Sequence, residues 1–250
     1  MTDRPPQRFG ALSAVVVAAL SVLYAIAYLV ITPSAQRGSD TNKALSSYLN
    51  HPAGLRIAAT CLLISGLLIS VAWVALTRQL EVRAPAPAAL ARLLGVVAGL
   101  ATAAHGLSDL IGFDKLAHTY AADPASRVAV RVDATLPSAI DPRGLFTFGV
   151  TGAAVLVAAL LLRAEGQRLG TLGIVLGVDL MLLFMATAIG IGPLVLLTGG
   201  LASVVLGPWW WVAVARRLLR PDATAGPAET ADPAIPASRG AHPATEPARV

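Results

Sequence analysis

The sequence is poor in charged residues and in cysteine, and both shortages exclude whole classes of protein. Asp, Glu, Lys and Arg make up 13% of the 250 residues, whereas a soluble domain carries about 25% charged residues. The single cysteine, Cys61, cannot form an internal disulfide or a multi-thiolate metal site. Hydrophobic residues make up 56% of the chain, and long stretches hold no charge, which predicts a chain solvated by lipid.

Common catalytic and cofactor-binding motifs are also missing. The sequence has no glycine loop ending in Lys-Ser or Lys-Thr, no His-Glu-x-x-His helix and no Gly-x-Ser-x-Gly turn. Only His105 lies within a predicted span, which excludes a bis-histidine haem inside the membrane and a multi-histidine zinc site. No basic run is interleaved with aromatic residues, so nucleic acid is not an expected partner. We therefore expect no cofactor and no bound metal, and an intramembrane enzyme ranks third among the possible functions because no catalytic constellation is present.

Six apolar stretches are each long enough to cross a membrane, which requires about 20 mainly apolar residues in an α-helix. The sequence thus predicts an all-α, polytopic helix bundle with spans at residues 9–31, 55–77, 88–111, 144–162, 169–189 and 194–215. The first stretch follows Arg4 and Arg8, as in a signal peptide. Because it is longer than the roughly 7–15 apolar residues of such a segment, we interpret it as a retained span.

Basic residues in the short loops predict the orientation of the bundle. More arginines flank the spans on the side of the N-terminus than on the other side, so we expect both termini in the cytoplasm and the protein in the plasma (inner) membrane. An interfacial aromatic anchor is predicted at Trp209, Trp210 and Trp211. Residues 221–250 hold six prolines among alanines and threonines, which is typical of a disordered tail.

The predicted outer loop, residues 112–143, carries its own structural pattern. Asp123 followed by Pro124 is typical of a helix N-cap and first helical position. One helical face would then carry Ala125, Val128, Val132 and Leu136. The alternation of Val128, Val130 and Val132 is also compatible with a strand. We favour a short amphipathic helix that lies on the outer membrane surface.

Three polar residues inside the predicted spans form a candidate intramembrane proton or cation site. Asp179 lies about 16 Å into the fifth span at 1.5 Å per residue, where a charge costs at least ~2.5–3.5 kcal/mol. It is interpreted either as a proton or cation site or as a protonated acid bonded to backbone or to Thr151. His105 and Asp109 are four residues apart and therefore neighbours on one helix. They form either an ion pair, with Arg56 or Arg143 as other partners for Asp109, or a relay to Asp179 through water.

Pairs of glycines four residues apart predict close helix packing, because small residues let helix backbones approach each other in lipid. These pairs are Gly95 with Gly99 in the third span and Gly173 with Gly177 in the fifth span.

Several stretches together resemble a family of bacterial six-helix membrane proteins classed only as a domain of unknown function. They are Leu62–Leu68, Asp141–Leu145, Leu172–Gly177, Gly207–Trp210 and Arg216–Leu219. The resemblance covers about residues 10–220 and implies the six-span topology without any activity. A bacterial origin also agrees with the abundance of Arg, Ala and Pro over Lys, since all three use G+C-rich codons.

We interpret the chain as a multi-pass integral membrane protein that acts as a sensor, scaffold or partner subunit. Its expected partners are the lipid bilayer and either a second copy of the chain or another membrane subunit, with the ligand unknown. The alternative is a small permease or proton-coupled carrier that uses Asp179 in mid-membrane.

Overall fold

The computed structural model describes residues 5–37, 40–135 and 140–220, and this part of the chain is helical without any strand. Six of its helices are long and apolar enough to cross a membrane. The all-α, six-span prediction is therefore confirmed, whereas the cytoplasmic placement of the termini stays a prediction. The predicted tail, residues 221–250, lies outside the described residues. The long helices are α1 (Pro5–Ile31), α4 (Ala53–Glu81), α5 (Pro85–Ala122), α7 (Pro142–Ala164), α8 (Arg168–Ile189) and α9 (Gly192–Leu218).

The six long helices form a ring in chain order. Each packs on the next, and the C-terminal part of α9 packs on α1 to close the ring. Short helices α2 (Ser34–Arg37) and α3 (Thr41–Tyr48) lie in the first connection, and α6 (Arg127–Thr135) lies in the third connection. We call the part of the bundle near connections 82–84 and 165–167 the closed half, and the part near connections 32–52, 123–141 and 190–191 the open half.

Helix α5 is longer than the sequence predicted. It ends at Ala122 rather than at Ile111, and its 38 residues span about 57 Å at 1.5 Å per residue. The extra turns carry Asp114, which pairs with Arg56 of α4 at 2.5 Å. They also carry Tyr120, whose hydroxyl donates to Asn42 of α3. The polar residues that lowered hydropathy here are thus bonded along a continuous helix that extends past the ~30 Å hydrocarbon layer.

The predicted helix after Asp123 is present, and the strand alternative is excluded for these residues. The Asp123 carboxylate accepts hydrogen bonds from the Ala125 N–H at 2.9 Å and from the Ser126 hydroxyl, and the Ser126 bond is the main cause that lowers the pKa of Asp123. Val128 and Val132 are exposed, while Val130 is buried with Tyr48. The exposed valines form an apolar face, Leu136 lies outside the described residues, and the location of this helix on a membrane surface stays a prediction.

The closed half is filled by large side chains. Trp73, Trp210, Leu76, Leu80, Leu162 and Leu218 are fully buried there. The predicted glycine pairs lie at close approaches between helices: a Cβ on Gly95 would lie 2.3 Å from Trp73, and one on Gly173 would lie 2.3 Å from Trp210. Gly99 and Gly177 meet Ser70 and Leu156 in the same way, at 2.4 and 2.6 Å.

The three consecutive tryptophans have different environments. Trp209 is 62% exposed, as an interfacial anchor would be, but Trp210 and Trp211 are 0% and 5% exposed and belong to the core. The Trp211 ring meets Trp73 edge-on at 6.1 Å between centroids. The interfacial anchor prediction therefore needs correction for Trp210 and Trp211, because successive residues of a helix point about 100° apart and cannot all face one surface.

A half-buried ion cluster ties together the connections of the closed half. Glu165 accepts from Arg217 at 3.0 Å and from Gln167 at 2.9 Å, and Arg83 lies 3.6 Å away. The Glu165 and Arg217 side chains are only 12% and 15% exposed. The cluster joins the α7–α8 connection to the end of α9 and to the α4–α5 connection.

Candidate functional site

A cavity of about 420 Å³ lies inside the ring, and all six long helices contribute to its wall. Trp210 and Trp211 form part of its wall and belong to the packed core of the closed half. Its apolar wall includes Leu62, Ile69 and Phe148. Its polar wall consists of Ser21, Tyr24, Ser65, Thr102, His105, Asp141, Arg143, Thr147, Thr151, Thr187 and Ser203. We call it the central cavity.

The hydroxyl groups in the wall mostly donate to their own helices and keep accepting capacity. The hydroxyls of Ser21 and Thr187 donate to carbonyls four residues earlier, at 2.9 and 2.8 Å. Thr102 donates to Ala98 O and also contacts the Thr147 hydroxyl at 3.2 Å, across the α5–α7 contact. Because a hydroxyl has one donor and two acceptor sites, this wall offers oxygen acceptors to water or to a ligand.

Three π-helical segments lie in α1, α7 and α9, at Ala27–Ile31, Leu145–Val150 and Ala202–Leu206. In α7, the Thr151 hydroxyl donates to the Phe146 carbonyl five residues back, at 3.1 Å. The segments of α7 and α9 contribute Thr147, Phe148 and Ser203 to the central cavity. Such segments occur frequently at functional sites, and here they widen helices that enclose a space.

The residues at the start of α7 place a carboxylate, Asp141, and a guanidinium group, Arg143, at the cavity. Asp141 is 2% exposed, and its carboxylate accepts from the N–H groups of Phe146 at 2.7 Å and Thr147 at 3.2 Å. Arg143, at φ 57°, and Gly144, at φ 77°, both have left-handed backbone conformations. The Arg143 guanidinium donates to the Ala188 carbonyl near the C-terminal end of α8, where the helix dipole favours a cation. The Asp141–Pro142 pair, which repeats the pattern at Asp123–Pro124, was the available sequence indication of this cap.

The structure brings His105 and Asp109 together but not with Asp179. The His105 Nε2 lies 3.4 Å from the Asp109 Oδ2. Arg56 pairs with Asp114 instead. His105 lines the central cavity and Asp109 lines an adjoining one. These two residues thus form a polar pair at the boundary between two cavities.

Asp179 lies apart from the cavities described here. It is 7% exposed, and its Oδ2 has no hydrogen-bond partner in the described part of the chain. The Thr151 hydroxyl, which was one predicted partner, donates to the Phe146 carbonyl. Asp179 lines neither the central cavity nor the two cavities next to it. Its role as a proton or cation site therefore stays a prediction.

Two further cavities adjoin the central one. One of them, of about 370 Å³, lies between α1, α4 and α5 and shares Tyr24, Leu62 and His105 with the central cavity. The lateral cavity, about 440 Å³, lies mainly between α1, α8 and α9. It shares Tyr24, Phe148, Leu183, Thr187 and Ser203 with the central cavity. Tyr24 therefore stands where all three meet, stacked on Tyr28 with ring centroids 6.0 Å apart.

No protein-family model, no curated protein and no solved structure matches the chain. The six-helix architecture therefore stands on the structure itself. The resemblance to a bacterial family of unknown function stays a prediction.

Proposed function

We propose that this membrane protein binds a small amphiphilic molecule in the central cavity and acts as a sensor or as a subunit of a larger membrane assembly. The observation that carries this proposal is a cavity of about 420 Å³ that all six long helices line. Ligand sites are commonly concave, mainly apolar spaces of ≈ 300–1,000 Å³ with a few polar groups. The hydroxyls, His105 and Arg143 provide such groups in an otherwise apolar wall.

The closed half favours binding over passage. Trp73, Trp210 and Trp211 pack with Leu76 and Leu80 in the core, so a molecule in the cavity meets packed side chains on this side. A bound molecule would instead touch all six helices. A ligand that prefers one arrangement of the ring shifts the population toward it, which is what a sensor or a regulated subunit requires.

Native mass spectrometry of the purified protein tests this function. The cavity variant is Ser21→Phe, since Ser21 lines the central cavity, and the matched control is Ala19→Phe on the exposed face of the same helix. We expect a small-molecule adduct on the wild type and on Ala19→Phe, and its loss from Ser21→Phe. A wild type without adduct, or an adduct that survives in Ser21→Phe, would contradict the proposal.

A proton-coupled carrier is the second candidate, and the observation in its favour is the unpartnered Oδ2 of Asp179 in a nearly buried position. A carrier that uses this carboxyl would lose proton-coupled uptake in Asp179→Asn while it keeps its fold. The measurement is proton uptake by proteoliposomes under an imposed pH gradient, with the wild type beside the variant. Equal uptake by both, at the rate of empty liposomes, would remove simple proton uptake through Asp179.

A further inference from the structure

The lateral cavity is a cleft in the side of the ring. Its α1 wall carries Tyr24, Tyr28 and Leu29, and its α9 wall carries Val195, Leu196, Gly199 and Gly200. The first part of α9 packs mainly on α8, whereas the part after Gly207 packs on α1. The two helices therefore close the ring in the closed half and leave a cleft between them in the open half.

The divergence of α9 from α1 has a local cause in the sequence. Pro208 has no N–H, and its ring crowds the carbonyl four residues earlier, so a regular α-helix cannot continue through it. The Gly207 N–H bonds instead to the Ala202 carbonyl, five residues back. This π-helical segment separates the two parts of α9 and lets its first part follow a different direction.

The α9 wall of the cleft is bare backbone at two glycines. A Cβ on Gly200 would meet no atom within 4 Å, and one on Gly199 would only reach Leu183 at 3.7 Å. These glycines therefore face free space, unlike Gly95 and Gly173 of the closed half, which are in tight helix contacts. A flexible chain of methylene groups fits a smooth wall of this kind better than a rigid, polar molecule does.

Two arginines line this connected space in the open half of the ring. Arg37 lines the lateral cavity, and its Nε donates to the Thr32 carbonyl at 2.9 Å. Arg143 lines the central cavity and donates to Ala188 O, one residue after Thr187, which lines both cavities. Neither arginine has a carboxylate partner within the described residues, and each keeps several of its five N–H donors.

Unpaired guanidinium groups beside an apolar cleft select for an anion with an apolar chain. Guanidinium donors match the geometry of phosphate and carboxylate oxygens and bind them by charge-assisted hydrogen bonds. The carbonyls at Thr32 and Ala188 hold the two arginines in place without neutralising them. The apolar residues of the cleft remain for the chain of such a ligand.

On this basis, and resting on the proposed function above, we propose that the cleft admits an anionic single-chain lipid from the bilayer. Its phosphate or carboxylate head binds Arg37 and Arg143. Its acyl chain passes Tyr24 and Ser203 into the central cavity and ends near Trp210. The protein thereby binds its ligand from the membrane rather than from water.

Binding of lysolipids to the full-length protein in detergent, titrated by native mass spectrometry, tests this proposal. The probes are palmitoyl lysophosphatidylglycerol, which is anionic, palmitoyl lysophosphatidylcholine, which is zwitterionic, and inorganic phosphate. We expect the anionic lysolipid to bind at least about tenfold more tightly than the zwitterionic one, which is the factor that 1.4 kcal/mol provides. Inorganic phosphate should neither bind measurably nor compete, because it lacks the chain.

Two sets of variants test the binding site of the lipid head group and that of the acyl chain separately. Arg37→Gln with Arg143→Gln should weaken the anionic lysolipid about tenfold and the zwitterionic one less, because the choline cation beside its phosphate already offsets the attraction to the guanidinium groups. Arg143→Lys should retain part of the preference. The charge control is Arg168→Gln, at an exposed position by the closed half. The chain variant is Ser203→Trp in the cleft, with Val204→Trp as the control because Val204 is 47% exposed and lines none of the three cavities.

The outcomes separate this inference from the proposed function. Equal binding of both lysolipids, lost in Ser21→Phe, would overturn the anionic head site while central-cavity binding stands. Competition by inorganic phosphate alone would identify a water-exposed anion site and overturn the lipid. Absence of lysolipid binding from a wild type that carries another adduct would overturn the lipid and keep the cavity. A wild type that carries no adduct and binds no lysolipid would overturn both the lipid inference and the proposed function.

Discussion

The two halves of the ring are built from the same helices but differ in how the space between the helices is filled. In the closed half, glycines bring helices together around Trp73 and Trp210, and Glu165 ties the connections. In the open half, α1, α7 and α9 become π-helical and three adjoining cavities lie between the helices, while Gly54 and Gly106 keep close helix contacts and a second buried cluster surrounds Tyr48. The difference is that large aromatic and aliphatic side chains fill the closed half, whereas the described cavities in the open half leave space for a ligand.

The physical reason for this division lies in lipid. Transmembrane helices gain no hydrophobic driving force from association in lipid, so they rely on close packing and hydrogen bonds. A bundle that holds a cavity loses packing at that cavity and needs dense packing elsewhere. The tight glycine contacts and the buried tryptophans of the closed half fulfil that need.

The largest difference between the halves should appear in matched glycine substitutions. In Gly173→Ala, the new Cβ would lie 2.3 Å from the buried Trp210 ring, and overpacking should lower the free energy of unfolding by about 1–3 kcal/mol. In Gly200→Ala, the Cβ meets nothing within 4 Å, so stability should stay unchanged or rise by up to about 1 kcal/mol. The measurement is thermal and denaturant unfolding in detergent; equal losses in both variants would show that the halves are packed alike.

The second largest effect should come from the ion cluster of the closed half. Glu165→Gln removes the carboxylate beside Arg217, whose side chain is 15% exposed. Loss of a buried ion-pair partner costs up to 3–5 kcal/mol, and we expect about 1–2 kcal/mol here because the cluster is only partly buried. Lys43→Gln is the control in the open half, since its pair with Asp40 is exposed and such pairs contribute little. A variant of Glu165 as stable as Lys43→Gln would refute the anchoring role of the cluster.

The smallest effect on stability should come from Asp123 and should be confined to helix α6 in the open half. Asp123 caps the turn before α6, and its pKa is lowered in the folded protein. The stabilisation it contributes is therefore present above its unfolded pKa of about 3.9 and is lost as the pH falls through the lower folded value. Asp123→Ala should speed amide hydrogen exchange in α6 without a change in the melting temperature, and Asp123→Asn should retain most of the protection. A fall in melting temperature for Asp123→Ala would show that α6 supports the whole bundle.

Sequence patterns predicted the helices far better than the cavities. Each span is an apolar stretch of the sequence, so all six were predicted. The end of α5 was predicted too early because Asp114 and His118 are polar residues within a continuous helix. The cavities form where neighbouring helices diverge. The divergence depends on contacts between helices that are far apart in the sequence. Pro208 explains the π-helical segment of α9 only after the contacts of α9 with α1 and α8 are known.

The individual candidates show the same limit. The side chains of His105 and Asp109 meet as their spacing of four indicated, because both lie on one helix. Asp179 is a lone acid in mid-span, yet it is not among the residues that line the central cavity with Ser21, Thr147 and Ser203. Serine or threonine in all six predicted spans was the available indication of a polar interior, but a single hydroxyl residue is common in any membrane helix.

The most direct measurement of the central claim is the reactivity of single cysteines placed along α1. In a Cys61→Ala background, Ser21→Cys lines the central cavity, Ala14→Cys lies in the closed half at 0% exposure, and Ala19→Cys lies on the exposed face. The reagent is a small, uncharged maleimide added to proteoliposomes, which can enter from water or from lipid. It reacts with the thiolate, which forms only where the thiol is hydrated. We expect Ser21→Cys to react and the other two not to react. Equal protection of all three positions would contradict the existence of an accessible cavity in the open half.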